Sequence, residues 1–269
     1  MDRYAVIGNP VSHSRSPQIH AAFASATAQD MDYGRLLAPL DGFAQVVAEF
    51  RAGGGRGANV TVPFKEAAFS LSAILSERAR AAGAVNTLRF DAEGLFGDNT
   101  DGAGLVADLR KNLQVALTGK RILLVGAGGA ARGVLQPLVA ERPALLVITN
   151  RSDQKARTLA SVAGGPVIAR RFEDIQGEAF NIVINATSAS LAGEVPPLPT
   201  GLFLPGALAY DMMYARDDTP FMAWARAQRA ARITDGLGML VEQAAESFFI
   251  WRGICPDTAP VLAMLRAAS

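Results

Sequence analysis

Short apolar runs alternate with stretches of helical periodicity along the chain, a pattern typical of α/β proteins with mostly parallel sheets. In the first hundred residues, apolar runs predict strands at 4–7, 34–38, 58–62 and 85–90. A helix is predicted to follow Pro17, because proline suits a first helical turn and Ser16 could cap it. A second helix is predicted at 43–51, ahead of a flexible glycine run at 53–55.

The second half of the chain repeats this alternation. Residues 121–125 form a continuous apolar run, which predicts a strand buried on both faces. Further strands are predicted at 145–149, 182–185, 207–211 and 232–234, and helices at 238–251 and 258–266.

A glycine-rich turn directly follows the strand predicted at 121–125, and it matches the dinucleotide-binding pattern G-x-G-x-x-A. Gly126 would allow a tight turn, Gly128 a close approach of pyrophosphate to the backbone, and Ala131 close packing of helix against strand. The first N–H groups of the next helix, around Gly129 and Ala130, would bind phosphate. The alternative is that the turn only connects a strand to a helix and binds no ligand. The match of strand, turn and helix to the dinucleotide-binding pattern disfavours this alternative.

The end of the next strand predicts NADP rather than NAD. Folds that prefer NAD place an acidic residue about 20 positions after the glycine turn, where it binds the ribose 2′-hydroxyl. Here Asn150 lies 24 residues after Gly126, and Arg151 follows it. Arg151 could pair with a 2′-phosphate, with Lys155 or Arg157 one turn further on. An ordinary surface arginine is the alternative.

We therefore expect two domains: an N-terminal α/β domain with a mostly parallel sheet and a Rossmann domain that binds NADP. The chain would cross between them on a helix at 102–112 and return near 235–238. The first domain is predicted to comprise residues 1–102 with 238–269, and the Rossmann domain residues 103–237.

Four polar clusters lie in or near the predicted strand ends of the first domain, at 12–17, 59–65, 86–87 and 98–102. Ligands of parallel α/β sheets bind beyond the carboxyl ends of the strands. Hydroxyls and amides gathered there, with one lysine and one aspartate, would suit a small polyhydroxylated acid. Taken singly, serine and asparagine before a helix are more often caps and turn formers.

Taken together and in order, these motifs resemble those of shikimate dehydrogenases over essentially the whole chain. The matching segments are GNPVSHSRSP at 8–17, NVTVPFK at 59–65, AVNT at 84–87, NTDG at 99–102, NATS at 185–188, YDMMY at 210–214 and DGLGMLVEQA at 235–244. The resemblance implies NADPH-dependent, reversible reduction of 3-dehydroshikimate to shikimate, a step of aromatic amino acid biosynthesis.

The resemblance also implies a role for each matching residue. Lys65 and Asp101 would be the catalytic pair, and Ser14 and Ser16 would hold the substrate carboxylate. The residues that would form hydrogen bonds with the ring hydroxyls are Asn59, Thr61, Asn86 and Gln243, with Tyr214 close by. The NADP contacts that the resemblance implies are Gly126, Gly128, Gly129, Asn150 and Arg151. From the patterns described above, Ala130 and Lys155 would also contact NADP. The residues lining the nicotinamide side would be Thr187, Met213 and Gly236.

Two other functions remain open at this point. One is a quinate/shikimate dehydrogenase that uses NAD or NADP, against which Arg151 argues. The other is a non-catalytic regulator that binds nucleotide or metabolite, which the presence of both Lys65 and Asp101 disfavours.

The amino-acid composition limits the classes of molecule that the protein is expected to bind. The net charge is +1 and no basic arm stands out, so we expect no nucleic acid. One cysteine and two histidines favour a reducing compartment and no metal site. No segment approaches the ~20 apolar residues of a membrane span, and the N-terminus lacks a signal-peptide pattern. We expect a cytoplasmic monomer or homodimer whose partner is its small-molecule substrate.

Overall fold

The computed structural model of the protein describes residues 1–268, and only the backbone of residues 191 and 192. Ser269, the last residue of the predicted first domain, lies outside the described residues. The chain divides into two compact units: Met1–Gly104 with Leu240–Ala268, and Leu105–Met239.

The elements of the first unit alternate, as the apolar pattern predicts, until an antiparallel hairpin follows. They are β1 Asp2–Gly8, α1 Ser16–Ala26, β2 Met31–Leu37, α2 Phe43–Ala52, β3 Gly55–Val60, α3 Lys65–Leu71, β4 Ile74–Leu75, α4 Glu77–Ala82, β5 Thr87–Asp91, β6 Gly94–Asp98 and α5 Asp101–Ala107. The chain crosses into the second unit inside α5.

The second unit begins with a π-helical turn, Asp108–Asn112, at the end of α5. Its elements are β7 Arg121–Val125, α6 Gly129–Ala140, β8 Leu145–Thr149, α7 Asp153–Ala163, β9 Val167–Ala169, β10 Phe180–Asn185, β11 Phe203–Asp211, α8 Pro220–Ala227 and β12 Arg232–Thr234. The chain returns to the first unit inside α9 Leu237–Arg252 and ends with α10 Ala259–Ala267.

The first sheet has six strands in the order β2-β1-β3-β5-β6-β4. Strand β1 pairs in parallel with β2 and β3, β5 is antiparallel to β3 and β6, and β4 is parallel to β6. Ile7 is in register with Val60, so β1 and β3 end side by side. The loop after β1 and the turn after β3 therefore leave the same edge of the sheet.

The second sheet has six strands in the order β12-β11-β10-β7-β8-β9, and every pair is parallel. Strand β7 is buried on both faces because Ile122 and Leu124 pack into one hydrophobic cluster and Leu123 and Val125 into another. Asn185 is in register with both Val125 and Asp211, so β7, β10 and β11 end together. The predicted two-domain α/β fold with mostly parallel sheets is confirmed.

Several local predictions need correction. Strand β2 begins at Met31 rather than 34, and β3 covers Gly55–Val60 rather than 58–62. Gly55 is the first residue of β3 rather than part of a flexible run, and a Cβ there would lie 2.7 Å from the Phe50 ring. Ser16 does not cap α1, because Arg15 holds that position and no side chain caps the helix.

The helix predicted at 102–112 is also not uniform. Its α-helical part ends at Ala107, and the π-helical turn follows. In that turn Asp108 is buried and accepts hydrogen bonds from Tyr210 Oη at 2.7 Å and Asn112 Nδ2 at 2.9 Å.

Candidate active site

Lys65 and Asp101 form an ion pair in the first unit. Each is the first residue of its helix, α3 and α5, and Lys65 Nζ donates to Asp101 Oδ2 at 2.5 Å. The Asp101 carboxylate is buried, whereas the Lys65 side chain is 24% exposed. A positive charge is disfavoured in the first turn of a helix, so the carboxylate is the group that stabilises the ammonium here. The structure thus brings the predicted catalytic pair together.

The backbone turn that carries Asp101 is held by a second, buried aspartate. The Asp98 carboxylate accepts two hydrogen bonds from Arg78, both at 2.7 Å, and one from Ser76 Oγ at 2.5 Å. Asp98 Oδ1 also accepts from the backbone N–H of Asn99, and Asn99 Oδ1 accepts from the backbone N–H of Asp101 at 3.1 Å. Arg78 therefore helps to hold the turn that carries Asp101. This role of Arg78 was not predicted from the sequence.

Two of the predicted hydroxyl-reading residues lie beside the catalytic pair. Asn86 Nδ2 donates to Asp101 Oδ1 at 2.8 Å, to Thr100 Oγ1 at 2.9 Å and to Gln243 Oε1 at 3.3 Å. Gln243 comes from α9, and its Nε2 donates to the backbone oxygen of Leu240 at 2.9 Å. Two neighbouring amides, one of them bonded to the carboxylate, offer the donors and acceptors that ring hydroxyls need.

Asn59 is engaged on every side by protein groups. Its Oδ1 accepts from Tyr33 Oη at 2.7 Å. Its Nδ2 donates to Ser247 Oγ at 2.9 Å, to Thr87 Oγ1 at 3.1 Å and to the backbone oxygen of Asn86 at 3.2 Å. Contact of Asn59 with substrate stays a prediction. Thr61, which follows β3, is half-buried.

The two serines predicted to hold the carboxylate lie together before and at the start of α1. Ser14 Oγ donates to Ser16 Oγ at 3.2 Å, and Ser16 N donates to Ser14 Oγ at 3.3 Å. The guanidinium of Arg35, on β2, donates to the backbone oxygen of Ser14 through Nη2 at 2.6 Å and Nε at 3.1 Å. Arg35 fixes this loop and adds a positive charge beside it. Arg35 was not among the residues predicted from the sequence.

In the second unit, the glycine turn has open space in front of it. Gly126 has a φ of +118°, and a Cβ there would lie 3.1 Å from the backbone oxygen of Ala186. A Cβ on Gly128 or Gly129 would meet no atom within 4 Å. Helix α6 starts at Gly129 and has no side-chain cap, so its first N–H groups can bind an anion. Ala130, the next residue, is half-buried in this turn.

The end of β8 presents the cations predicted to select NADP. Asn150 Nδ2 donates to the backbone oxygen of Ser152 at 3.0 Å, which closes the turn. Arg151 and Lys155 are exposed. Arg157 donates to Asp153 Oδ2 at 2.7 Å, so Arg151 and Lys155 are the better candidates for a 2′-phosphate.

A buried carboxylate, Asp211, organises the residues predicted at the nicotinamide side. Asp211 Oδ1 accepts from Asn185 Nδ2 and from the backbone N–H of Met213, both at 3.1 Å. Asn185 Oδ1 in turn accepts from Thr187 Oγ1 at 2.7 Å. Asp211 Oδ2 accepts from Thr219 Oγ1 at 2.6 Å and from a further hydroxyl on the neighbouring loop. Burial raises the pKa of Asp211, and these hydrogen bonds oppose that effect.

Gly236 and Tyr214 also belong to the second unit. A Cβ on Gly236 would lie 2.3 Å from the backbone oxygen of Met212, and its N–H donates to the backbone oxygen of Met213 at 3.0 Å. Only glycine therefore fits there. Tyr214 follows β11 and is half-buried, as are Thr187 and Met213.

The two histidines lie in contrasting environments. His20 is fully buried and stacks on Tyr33 with 4.2 Å between ring centroids, and burial lowers its pKa to about 3. His13 is exposed. Within residues 1–268, no three His, Cys, Asp or Glu side chains are grouped so that they could share a metal ion. None of the helices in that range is both long and apolar enough to span a bilayer.

Known families match three parts of the chain. The shikimate dehydrogenase substrate binding domain matches residues 6–88, shikimate / quinate 5-dehydrogenase residues 108–192, and the shikimate 5′-dehydrogenase C-terminal domain residues 236–267.

Whole-chain relatives agree with these matches. A shikimate dehydrogenase (NADP(+)) of Dechloromonas aromatica is 62% identical over 99% of this chain and 98% of the relative. One of Nitrosospira multiformis is 60% identical over the same shares of the two chains. A crystal structure of shikimate 5-dehydrogenase from Thermus thermophilus, in complex with NADP(H) and shikimate, has a TM-score of 0.89, 33% identity and full coverage of both chains. The chain belongs to the shikimate dehydrogenase family.

Proposed function

We propose that this protein is an NADP-dependent shikimate dehydrogenase that reversibly reduces the ring ketone of 3-dehydroshikimate to shikimate, in aromatic amino acid biosynthesis. The observation that carries the proposal is the ion pair between Lys65 and Asp101, 2.5 Å apart and bordered by the amide of Asn86. An ammonium held by a buried carboxylate is suited to a reaction in which negative charge develops on a carbonyl oxygen. Relatives about 60% identical carry the same enzyme name.

The first unit provides the substrate residues of the proposal. Ser14 and Ser16 bind the substrate carboxylate through their hydroxyls, and the positive charge of Arg35 lies behind them. The ring hydroxyls are bound by residues at the strand ends and on α9, with Tyr214 as a further contact. These residues are Asn59, Thr61, Asn86 and Gln243. The functional domains correspond to residues 1–102 with 238–269 for the substrate and 103–237 for NADP.

The second unit provides the nucleotide residues. The open space at Gly128 and Gly129 and the uncapped start of α6 fit a pyrophosphate. The exposed Arg151 and Lys155 fit a 2′-phosphate, and no carboxylate stands at Asn150 to repel it. The remaining contacts of this proposal are Gly126 and Ala130 at the turn, and Thr187, Met213 and Gly236 at the nicotinamide side.

The chemistry assigns separate tasks to the two catalytic side chains. When bound, NADPH supplies the hydride. The Lys65 ammonium stabilises the negative charge that develops on the ketone oxygen and gives that oxygen a proton, so that the ketone becomes an alcohol. Asp101 holds the ammonium and accepts a hydrogen bond from a substrate hydroxyl. Proton transfer from a positioned group of this kind contributes about 10²–10⁴-fold to the rate.

The proposal is tested with Lys65→Ala, with Lys120→Ala as a control lysine. We expect Lys65→Ala to lose turnover by about 10²-fold or more while its dissociation constant for NADPH stays close to wild type. The measurement combines NADPH absorbance loss with 3-dehydroshikimate and calorimetric NADPH binding. Turnover of Lys65→Ala at the wild-type level would remove Lys65 from the mechanism.

A substrate panel separates the proposal from its alternatives. Wild-type protein assayed with shikimate and quinate, each with NADP+ and NAD+, is expected to prefer shikimate and NADP+. A preference for quinate or NAD+ would favour the quinate/shikimate alternative, and no turnover by folded protein would favour a regulator. A cytoplasmic location and a monomeric or homodimeric state are further parts of the proposal.

A further inference from the structure

The side-chain amide of Asn86 has one orientation that its neighbours allow. Its Oδ1 accepts from the backbone N–H of Thr100 at 2.9 Å, and its Nδ2 donates to Asp101 Oδ1 at 2.8 Å. A half-turn of the amide would set two N–H groups against each other and an oxygen against the carboxylate. The amide is 2% exposed, so water cannot relieve either clash. The Lys65–Asp101 pair therefore depends on how Asn86 is held.

Two side-chain hydroxyls also donate to Asn86 Oδ1, Thr100 Oγ1 at 3.2 Å and, at a shorter distance, that of Thr87. The Thr87 hydroxyl lies 2.8 Å from Asn86 Oδ1. The same hydroxyl oxygen accepts from Asn59 Nδ2 at 3.1 Å and lies 2.8 Å from Ser247 Oγ. Thr87 is 0% exposed, so it cannot touch a substrate.

The hydrogen bonds that lead from Tyr33 through Asn59 to Thr87 run in one direction. Tyr33 Oη donates to Asn59 Oδ1 at 2.7 Å, which turns Asn59 Nδ2 toward Thr87. From there the donors follow one another through Asn86 to the carboxylate of Asp101. Hydrogen bonds in such a chain polarise one another and strengthen each other in a buried environment. Every donor in this chain points toward Asp101.

We propose that Thr87 is a positioning residue: its hydroxyl holds the Asn86 amide in the orientation that donates to Asp101, and Asp101 holds the ammonium of Lys65. The inference rests on the proposed function, because it concerns the same catalytic pair. If Thr87 served only in packing, valine would be tolerated because it keeps the shape of threonine. If its hydroxyl is needed, serine would be tolerated because it keeps that hydroxyl. The two roles can therefore be told apart.

The experiment compares Thr87→Val with Thr87→Ser. We expect Thr87→Val to lower kcat/KM for 3-dehydroshikimate about tenfold or more, because buried hydrogen-bonding groups lose their partner. Shikimate binding without nucleotide, measured by calorimetry, should weaken in parallel, while the KM for NADPH stays close to wild type. Thr87→Ser should stay close to wild type in all three quantities. Thr149→Val is the matched control, because Thr149 is fully buried in a strand and its Oγ1 makes no hydrogen bond within the described residues.

Three results would overturn the inference. They are wild-type kinetics in Thr87→Val, an equal loss in Thr87→Ser, or an equal loss in Thr149→Val. If Thr87→Val does not fold, Tyr33→Phe replaces it, because it removes one hydroxyl and keeps the ring that stacks on His20. We expect a smaller loss in the same direction, and wild-type kinetics there would also overturn the inference. A wild-type protein without activity would instead overturn the proposed function.

Discussion

The imidazole of His20 is enclosed by aromatic rings, and burial lowers its pKa to about 3 from the ordinary 6.5. Below pH 6.5 the unfolded chain binds a proton at this position and the folded protein does not. The free energy of unfolding therefore falls as pH falls from 6.5 toward 3, and is unaffected by His20 above 6.5. The expected loss is about 2 kcal/mol by pH 5.

This prediction is tested with His20→Leu, which removes the titrating ring. Between pH 7 and pH 5 the thermal midpoint of the variant should fall less steeply than that of the wild type. His13→Gln is the control, because His13 is exposed. The prediction fails if His20→Leu keeps the wild-type slope.

Gly126 and Gly128 stand two residues apart but are required for different reasons. At Gly126 the φ of +118° and the nearby Ala186 oxygen mean that alanine strains the folded protein itself. At Gly128 a Cβ would meet no protein atom within 4 Å, so alanine would obstruct only a phosphate bound at the turn as proposed above.

We therefore predict that alanine at one position lowers stability and that alanine at the other weakens NADP+ binding. Gly126→Ala should lower stability by about 1–3 kcal/mol. Gly128→Ala should keep the wild-type thermal midpoint and raise the NADP+ dissociation constant about tenfold, or ~1.4 kcal/mol. Denaturant unfolding and calorimetry measure both variants. A Gly128→Ala variant as unstable as Gly126→Ala would contradict the account of the turn.

At the scale of elements, the ends of β10 and β11 are joined by Asp211, which receives only donors. Asp211→Asn keeps the shape but sets an N–H group among those donors. We expect the free energy of unfolding to fall by about 1–3 kcal/mol, and the thermal midpoint to fall with it. The KM for NADPH should rise more than that for 3-dehydroshikimate, because Thr187 and Met213 lose their support. Asp217→Asn, at an exposed position, is the control. Unchanged NADPH kinetics in Asp211→Asn would refute this role.

Strands β7 and β8, which lie inside the second sheet, have the predicted bounds because their continuous apolar runs pack into hydrophobic clusters. The edge strand β12 also has its predicted bounds, although its residues are exposed or half-buried. Strand β6 was missed because Gly94 and Gly97 interrupt its apolar pattern, and its pairing with β5 depends on a hairpin. The π-helical turn was also missed, and the hydrogen bond from Tyr210 to Asp108 in that turn spans 102 residues of sequence.

The residues of the candidate site also divide into those that the sequence could predict and those that it could not. Lys65 and Asp101 could be singled out because they lie in recognisable motifs, and the structure brings them together. Arg35 could not, because it binds a backbone oxygen 21 residues away. Ser247 bonds to Asn59 over 188 residues, and no local pattern records such a pairing.

At the scale of the whole molecule, the two units depend differently on chain order. Among the described residues, the two large hydrophobic clusters of the second unit lie within residues 105–239. The first unit is discontinuous, and its strands need α9. The side chain of Ser247 bonds to Asn59 and Thr87, and Trp251 Nε1 donates to the backbone oxygen of Leu88 at 3.0 Å.

The two units should therefore behave differently when the chain is cut. A fragment of residues 101–243, which extends the second unit at both ends, is expected to fold and bind NADP+. Residues 1–104 alone should stay unfolded, because buried polar groups that α9 satisfies in the full chain would have no partner, and each costs about 1–3 kcal/mol. Joining residues 240–268 to residue 104 through a glycine–serine linker restores those partners and should restore cooperative unfolding, measured by circular dichroism. Cooperative unfolding of residues 1–104 without that segment would show that α9 is dispensable for the first sheet.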